Sequence, residues 1–421
     1  MGDSLDRAAA ARAAGRHSTR LAPLWVFGVA LAVYASGLVA HTGSFWPQSR
    51  WPHFLYYAQA LLDGQLHFSV APPVLHDLAQ FEGRLYLHFP PFPALLLTPW
   101  VVLLGLDASD RVVSVLLGAT NGALLWWLLD GLDRRRLVPS TPQTRALLCA
   151  FFLFGTVHWT LAVTSNPWEF AHVLCNTGVL LALGLGFRRR YSWAALAWVA
   201  VLFTRSHVFT AAPIVALLHL WVDRREAGAE TVDWRPWLAP AAIGALGVLG
   251  LLGFNYARFG HAFENGASYH AMHEAFRANF EAYGYFSPHY LGRNLRALLW
   301  LTPVSRDTFP FFTFTPEGLS VFLASPLYLL GFASVRSAAP RPLLWGLALA
   351  LLPPLVPILL LIGTGELQFG HRYTSDIQVF GVLLVALGLG TRVTALAWTG
   401  LALSVTMNAY GAAWFVSTYA N

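Results

Sequence analysis

A few carboxylates, histidines and arginines stand at the ends of long apolar runs in this chain, where they could accept protons or hold an anion. Glu169 closes Ser165-Asn166-Pro167-Trp168-Glu169 and opens an apolar stretch. A carboxylate at a membrane boundary is costly unless solvated or paired, so it reads as functional by default. The plainer alternative is a first-turn helix acid favoured by the helix dipole. Asp77 follows Pro72-Pro73-Val74-Leu75-His76, where it could act as a base, orient a histidine, or simply cap its own turn. Arg205 and Arg372 are cations with apolar flanks. They suit an anionic headgroup, although snorkelling explains Arg205 as readily, and an i to i+4 pair with Asp376 explains Arg372. The chain contains no lysine, so any phosphate must be held by the planar guanidinium fork, which binds phosphate bidentately.

These groups need elements to position them, and composition says what kind. Hydrophobic residues make up 56% of the 421 and charged residues only 11%, against about 25% charged in a soluble domain. Such a chain excludes a large soluble globule, a disordered chain and collagen, and leaves a polytopic membrane protein. Cys149 and Cys175 both lie inside apolar runs, as buried hydrophobes rather than a disulfide framework. The net charge of +6 comes from arginine clusters and carries no interleaved basic and aromatic face for nucleic acid.

Residues 1–20 read as a basic cytoplasmic tail and residues 21–421 as one membrane domain. The first apolar run, 21–40, is longer than a signal-peptide core and is expected to stay uncleaved. Further runs fall at 112–129, 146–163, 170–187, 193–203, 208–222, 237–254, 319–332, 343–362, 377–389 and 393–416. Those at 193–203 and 319–332 fall short of the ~20 residues a full span needs. Placing Arg134–Arg136, Arg188–Arg190, Arg224-Arg225, Arg336 with Arg341, and Arg392 in the cytoplasm satisfies the positive-inside rule. It also requires the proline-rich segment 91–104 to remain on the outer face as an interfacial or re-entrant piece. The expectation is an all-α bundle of roughly eleven spans with a cytoplasmic N-terminus. Hydrophilic loops near 41–111 and 256–318 then face outward, and all histidines but His17 and His219 lie outside or at the outer edge.

Two outer features are ambiguous on sequence. His270, His273 and Glu274 would share one helical face, as metal ligands do, but no third histidine stands at matching spacing, so a wet helix face is the simpler reading. The aromatic run from Tyr283 to Leu291 precedes Arg293 and Arg296 and could line a sugar site or form an interfacial aromatic belt.

Four stretches in this order resemble the GT-C superfamily of polytopic glycosyltransferases, in the branch of bacterial lipid-linked-sugar transferases. They are Tyr56-Tyr57-Ala58-Gln59-Ala60-Leu61-Leu62-Asp63-Gly64, Phe89-Pro90-Pro91-Phe92-Pro93-Ala94-Leu95-Leu96, Leu202-Phe203-Thr204-Arg205, and Phe369-Gly370-His371-Arg372-Tyr373 with Asp376. The resemblance spans most of the chain. It implies transfer of a sugar from a polyprenyl phosphate to a lipid or glycan acceptor on the outer face of a bacterial plasma membrane. Glu169 would be a catalytic carboxylate, with Asp77 as a further base, and Arg205, Arg372 and Asp376 would bind the phosphate end. The chain departs from the family where a first-loop acid is usual: the register lands on Arg50-Trp51. His53 is the nearest ionisable group that could act in its place. No metal ligand set or cofactor is assigned, although the resemblance leaves room for a divalent cation. A transporter or flippase of lipid-linked solutes is the alternative from another class. A catalytically degenerate member of the fold that binds lipid-linked glycan is a third.

Overall fold

The computed structural model describes the backbone of residues 2–228, 233–270 and 274–419. The side chains of residues 1–20, including the expected basic tail and His17, lie outside the described residues, as does His273.

Helices dominate. In the first half they are α1 (Gly2–Thr42), α2 (His53–Leu62), α3 (Phe92–Leu104), α4 (Asp110–Arg134), α5 (Pro142–Phe154), α6 (His158–Thr164) and α7 (Pro167–Gly186). Then come α8 (Tyr191–Leu202), α9 (Ala212–Ala227), α10 (Arg235–Phe259), α11 (Glu274–Tyr283) and α12 (Leu291–Trp300). The last part carries α13 (Val321–Ala324), α14 (Arg341–Ala350), α15 (Leu352–Leu360), α16 (Gln378–Leu389) and α17 (Ala395–Tyr419). Short 3-10 segments at Ser206–Ala211, Pro326–Arg336 and Arg372–Asp376 link them.

Among the described residues six helices are long and apolar enough to cross a membrane: Leu21–Thr42, Asp110–Arg134, Pro167–Gly186, Ser206–Ala227, Arg235–Phe259 and Arg341–Leu360. The α5–α6 pair, bent by 51° at its break, makes a seventh if it is one span. The other expected spans fall short of that measure. α8 and α16 have 12 residues each, and 319–332 divides between the short α13 and a 3-10 segment. α3 has 13 residues with Pro99 inside it.

The architecture is not purely helical. β1 (Leu78–Phe81) pairs antiparallel with β2 (Arg84–Leu87) in the first loop, and β3 (Val304–Ser305) pairs with β4 (Phe312–Thr313) in the second. Glu82 and Gly83 both take positive φ between the first two strands. That is the two-residue turn whose twist matches a hairpin, and glycine takes its second position without strain.

In the bundle α1 packs on α4, α4 on α7, α7 on α8, α8 on α10, and α16 on the Pro326–Arg336 segment. Small residues bring the first of these together, as expected where lipid supplies no hydrophobic drive between helices. A Cβ on Gly118 would stand 2.8 Å from Ala162 and 3.0 Å from Tyr34, and one on Gly122 2.6 Å from Leu153. The break between α5 and α6 is held by side chains. Tyr34 donates to the Leu153 carbonyl and meets His158 Nδ1 at 3.0 Å, while Asn121 Nδ2 lies 3.1 Å from His158 Nε2 and donates to the Val173 carbonyl.

The arginine clusters at the ends of α4, α7 and α9 meet at one end of the bundle. Arg135 pairs with Glu226, Arg189 with Asp223 at 3.0 Å, and Arg145 with Asp130 and Asp133 at 2.7 and 2.6 Å. The C-terminal ends of α4, α7 and α9 therefore lie side by side, as the shared sidedness of these clusters requires.

Candidate functional site

The other ends of the helices carry a cavity of about 380 Å³. Its apolar walls come from Leu251 and Leu252 of α10 and from Pro357 and Ile358 of α15. Its polar lining comes from Arg205, His207, Arg258, His88, Tyr285 and Tyr373. Beyond its contact with α8, α10 leaves most of its apolar residues exposed, so one wall of the cavity is a helix with an open apolar face.

On one side Asp376 collects three partners from distant elements. His172 Nδ1 of α7 donates to its Oδ1 at 2.8 Å and His207 Nε2 donates to its Oδ2 at 2.9 Å. Arg205 Nε lies 2.7 Å from Oδ1, with its N–H off the line to the oxygen, so this contact is a close ion pair rather than an aligned hydrogen bond. Burial alone would push the Asp376 carboxyl up, but Arg205, His172 and the two imidazole hydrogen bonds hold it well below the usual carboxylate range. Two histidines and an arginine thus converge on a carboxylate with no side-chain exposure. Proximity to Tyr373 ties Arg205 to Arg372: both guanidinium carbons lie within 5.6 Å of its ring centroid.

On the other side the first loop meets the second. His270 forms a bridge with Ala79 and places Nε2 3.1 Å from Asp77 Oδ1. It is therefore an extended residue holding a carboxylate, not one member of the wet helix face expected for His270, His273 and Glu274. Burial pushes Asp77 up, yet the His270 hydrogen bond and the charges of His88, His76 and His270 outweigh it and keep the carboxyl below its ordinary range. His88, packed 4.8 Å from the His270 ring, is pushed down to about 4 by burial and then by His270. His88, packed against His270, and Tyr373, beneath the Arg205 and Arg372 guanidiniums, both line the cavity, so the two sides address the same space.

The three acids named from sequence differ in access. Asp77 has a side chain 25% exposed, whereas that of Asp376 is 0% exposed and Glu169 is 3% exposed. The Glu169 carboxylate accepts from the Asn166 backbone N–H at 2.6 Å, which fastens the start of α7 behind Pro167. It is buried, not facing water. His53 is also buried, and its Nε2 donates to the His76 carbonyl at 2.7 Å. Arg50 stacks over Trp51 at 5.0 Å. Trp51 in turn packs 5.1 Å from Trp168, over which Arg372 stands at 5.4 Å.

Sequence reasoning missed His172, His207 and Arg258. His172 and Arg258 sit in or at the ends of apolar helices, which is the one signal that marks such ionisable residues. Among the described residues no group of three or more His, Cys, Asp or Glu side chains is placed to hold a metal ion. The chain matches no family model, no curated protein and no solved structure.

Proposed function

We propose that this protein is a multi-pass enzyme of the bacterial plasma membrane, with its N-terminus in the cytoplasm. In this reading it moves a sugar from a polyprenyl phosphate to an acceptor hydroxyl on the extracytoplasmic face. The roughly eleven crossings of this reading include α8, α16 and α17 beside the six long helices. The observation that carries it is the cavity itself, which joins apolar walls on α10 and α15 to a polar end lined by Arg205, Arg258 and His88, with the His270–Asp77 pair behind His88. An isoprenoid tail would lie along the apolar walls, with its phosphate and sugar at the polar end, within reach of the lining arginines and of Asp77.

In the reaction the acceptor oxygen attacks the anomeric carbon as the bond to the phosphate oxygen breaks, which inverts that carbon. The polyprenyl phosphate leaves with the bonding pair, and the acceptor proton passes to Asp77. His270 fixes Oδ1 of that carboxylate and so sets its direction. Positioned proton transfer and fixed charge at the leaving group are the two terms the protein supplies.

The test is transfer by the protein reconstituted in vesicles with a panel of short-chain polyprenyl-phosphate sugars, read as release of polyprenyl phosphate together with a glycosylated product. Failure with every donor, in a protein that melts cooperatively, removes the reading. The engagement of Glu169 by the start of α7 and of Asp376 by Arg205 favours one other reading, a protein of this architecture that binds lipid-linked glycan without reacting. Donor binding without release of the carrier separates the two.

A further inference from the structure

The cavity holds two arginines and no acid among its lining residues, but their charges are not equally available. Arg205 lies in an ion pair with Asp376. Arg258 has no carboxylate within ion-pair distance among the described residues. Its Nη1 donates to the Leu87 carbonyl at 2.7 Å and its Nη2 to Asn255 Oδ1 at 2.9 Å, both neutral acceptors. Its guanidinium carbon stands 4.0 Å from the Phe254 ring centroid and 4.8 Å from that of Phe259. The residue is only 4% exposed, and its Nε has no partner. The C-terminal end of α10 offers a partial negative charge. Glu264, which acts on Arg258 at longer range, is already engaged by the Gly266 and Ser268 amides.

A buried cation held by neutral groups is costly unless an anion completes it. We infer that Arg258 is the residue that binds the lipid-linked phosphate, and that the cavity is matched to a phosphodiester with a single negative charge. Arg205 is paired by Asp376 from behind the lining, which leaves Arg258 as the lining arginine that no carboxylate pairs among the described residues. A sugar–phosphate–prenyl phosphodiester carries one charge and balances it. A prenyl diphosphate would bring uncompensated negative charge into a space bounded by apolar helices. This deepens the reading of the cavity as the donor site and rests on it for the identity of the lipid. The phosphodiester chemistry itself is equally that of a phospholipid headgroup.

Binding of methyl geranyl phosphate, a phosphodiester monoanion, to the full chain in nanodiscs tests it, with geranyl diphosphate as the comparison. Wild type should bind the phosphodiester about tenfold or more tightly than the diphosphate, and Arg258→Gln should weaken the phosphodiester by about tenfold or more. Arg258→Lys, which keeps the charge but not the fork, should recover most of that loss. Arg277→Gln removes an exposed charge on α11 and should change nothing. Wild-type affinity in a cooperatively melting Arg258→Gln, or equal or tighter binding of the diphosphate, overturns the inference. Should Arg258→Gln fail to fold, the ligand comparison on wild type and Arg258→Lys still decides. Dioleoylphosphatidylglycerol is the second arm. If it displaces the geranyl probe with equal affinity, Arg258 keeps its role and the donor reading of the cavity falls. Binding that depends on Arg258 in a protein with no transfer activity likewise leaves the inference standing alone.

Discussion

Arg205 Nε lies 2.7 Å from Asp376 Oδ1, so the arginine that the chain's own motif points to is neutralised before any ligand arrives. The pair organises the wall of the cavity and leaves anion capture to a residue on another helix. Removing one partner of a buried pair strands the other charge. Asp376→Asn should therefore lower stability by about 3–5 kcal/mol, read as a fall in the melting temperature in detergent. A change near zero would mean that Arg205 finds water or another acid without it.

Glu169 separates a cap from a catalyst. An amide oxygen can still accept from the Asn166 N–H, so Glu169→Gln should fold and transfer within about threefold of wild type, while Glu169→Ala loses about 1 kcal/mol of stability. A Gln variant that melts normally yet has lost transfer would return this residue to the chemistry.

Asp77 carries the opposite expectation. Asp77→Asn cannot accept the acceptor's proton and should slow transfer by about a hundredfold or more while donor affinity stays unchanged. His270→Ala acts only by releasing Oδ1. It should cost less, and it should shift the acid limb of the rate profile upward, because the hydrogen bond that lowers the Asp77 carboxyl is lost. An unaltered profile would make His270 a purely structural clasp between the loops.

The contribution of His88 and His371 to stability should rise with pH between about 4 and 6.5. Burial pushes both His88 and His371 down to about 4 from an ordinary value of 6.5. As pH falls through that window the unfolded chain takes up protons that the folded chain refuses, so folding loses free energy. Above 6.5 neither state binds them and the loss vanishes. Asp77 adds nothing there, since its depressed carboxyl matters only below its ordinary value of 3.8. His371 is 1% exposed with neither ring nitrogen hydrogen-bonded. His371→Leu should raise the melting temperature, more at pH about 4.5 than at pH about 7. An equal gain at both would show that the imidazole is not excluded from protonation.

Periodic and punctuated features of the chain read well from sequence. The helices at Asp110–Arg134, Pro167–Gly186 and Arg235–Phe259 coincide with long apolar runs, and the bent α5–α6 pair covers a single run. The first-loop hairpin did not announce itself. Glu82-Gly83 is the turn, but Arg84-Leu85-Tyr86-Leu87 is too short for alternation to separate it from the surrounding loop. The site was legible as parts rather than as pairings. Arg205, Arg372, Asp376 and Asp77 stand out as charges beside apolar runs, yet nothing local says that Asp376 takes Arg205 rather than Arg372, its i to i+4 neighbour. His172 and Arg258 stayed hidden because their partners come from other helices. Linear spacing holds no trace of a neighbour brought in by packing.

The Asp376 cluster also sets an order of assembly during synthesis. His172 and Asp376 are separated by 204 residues, which is about 10–40 s of translation. For most of that interval Arg205, with His172 and His207 beside it, sits in a growing bundle without the carboxylate that balances it. A nascent chain stalled before residue 376 should carry an open charge that invites quality-control proteases, and the arrival of this one side chain would mark the end of that exposure.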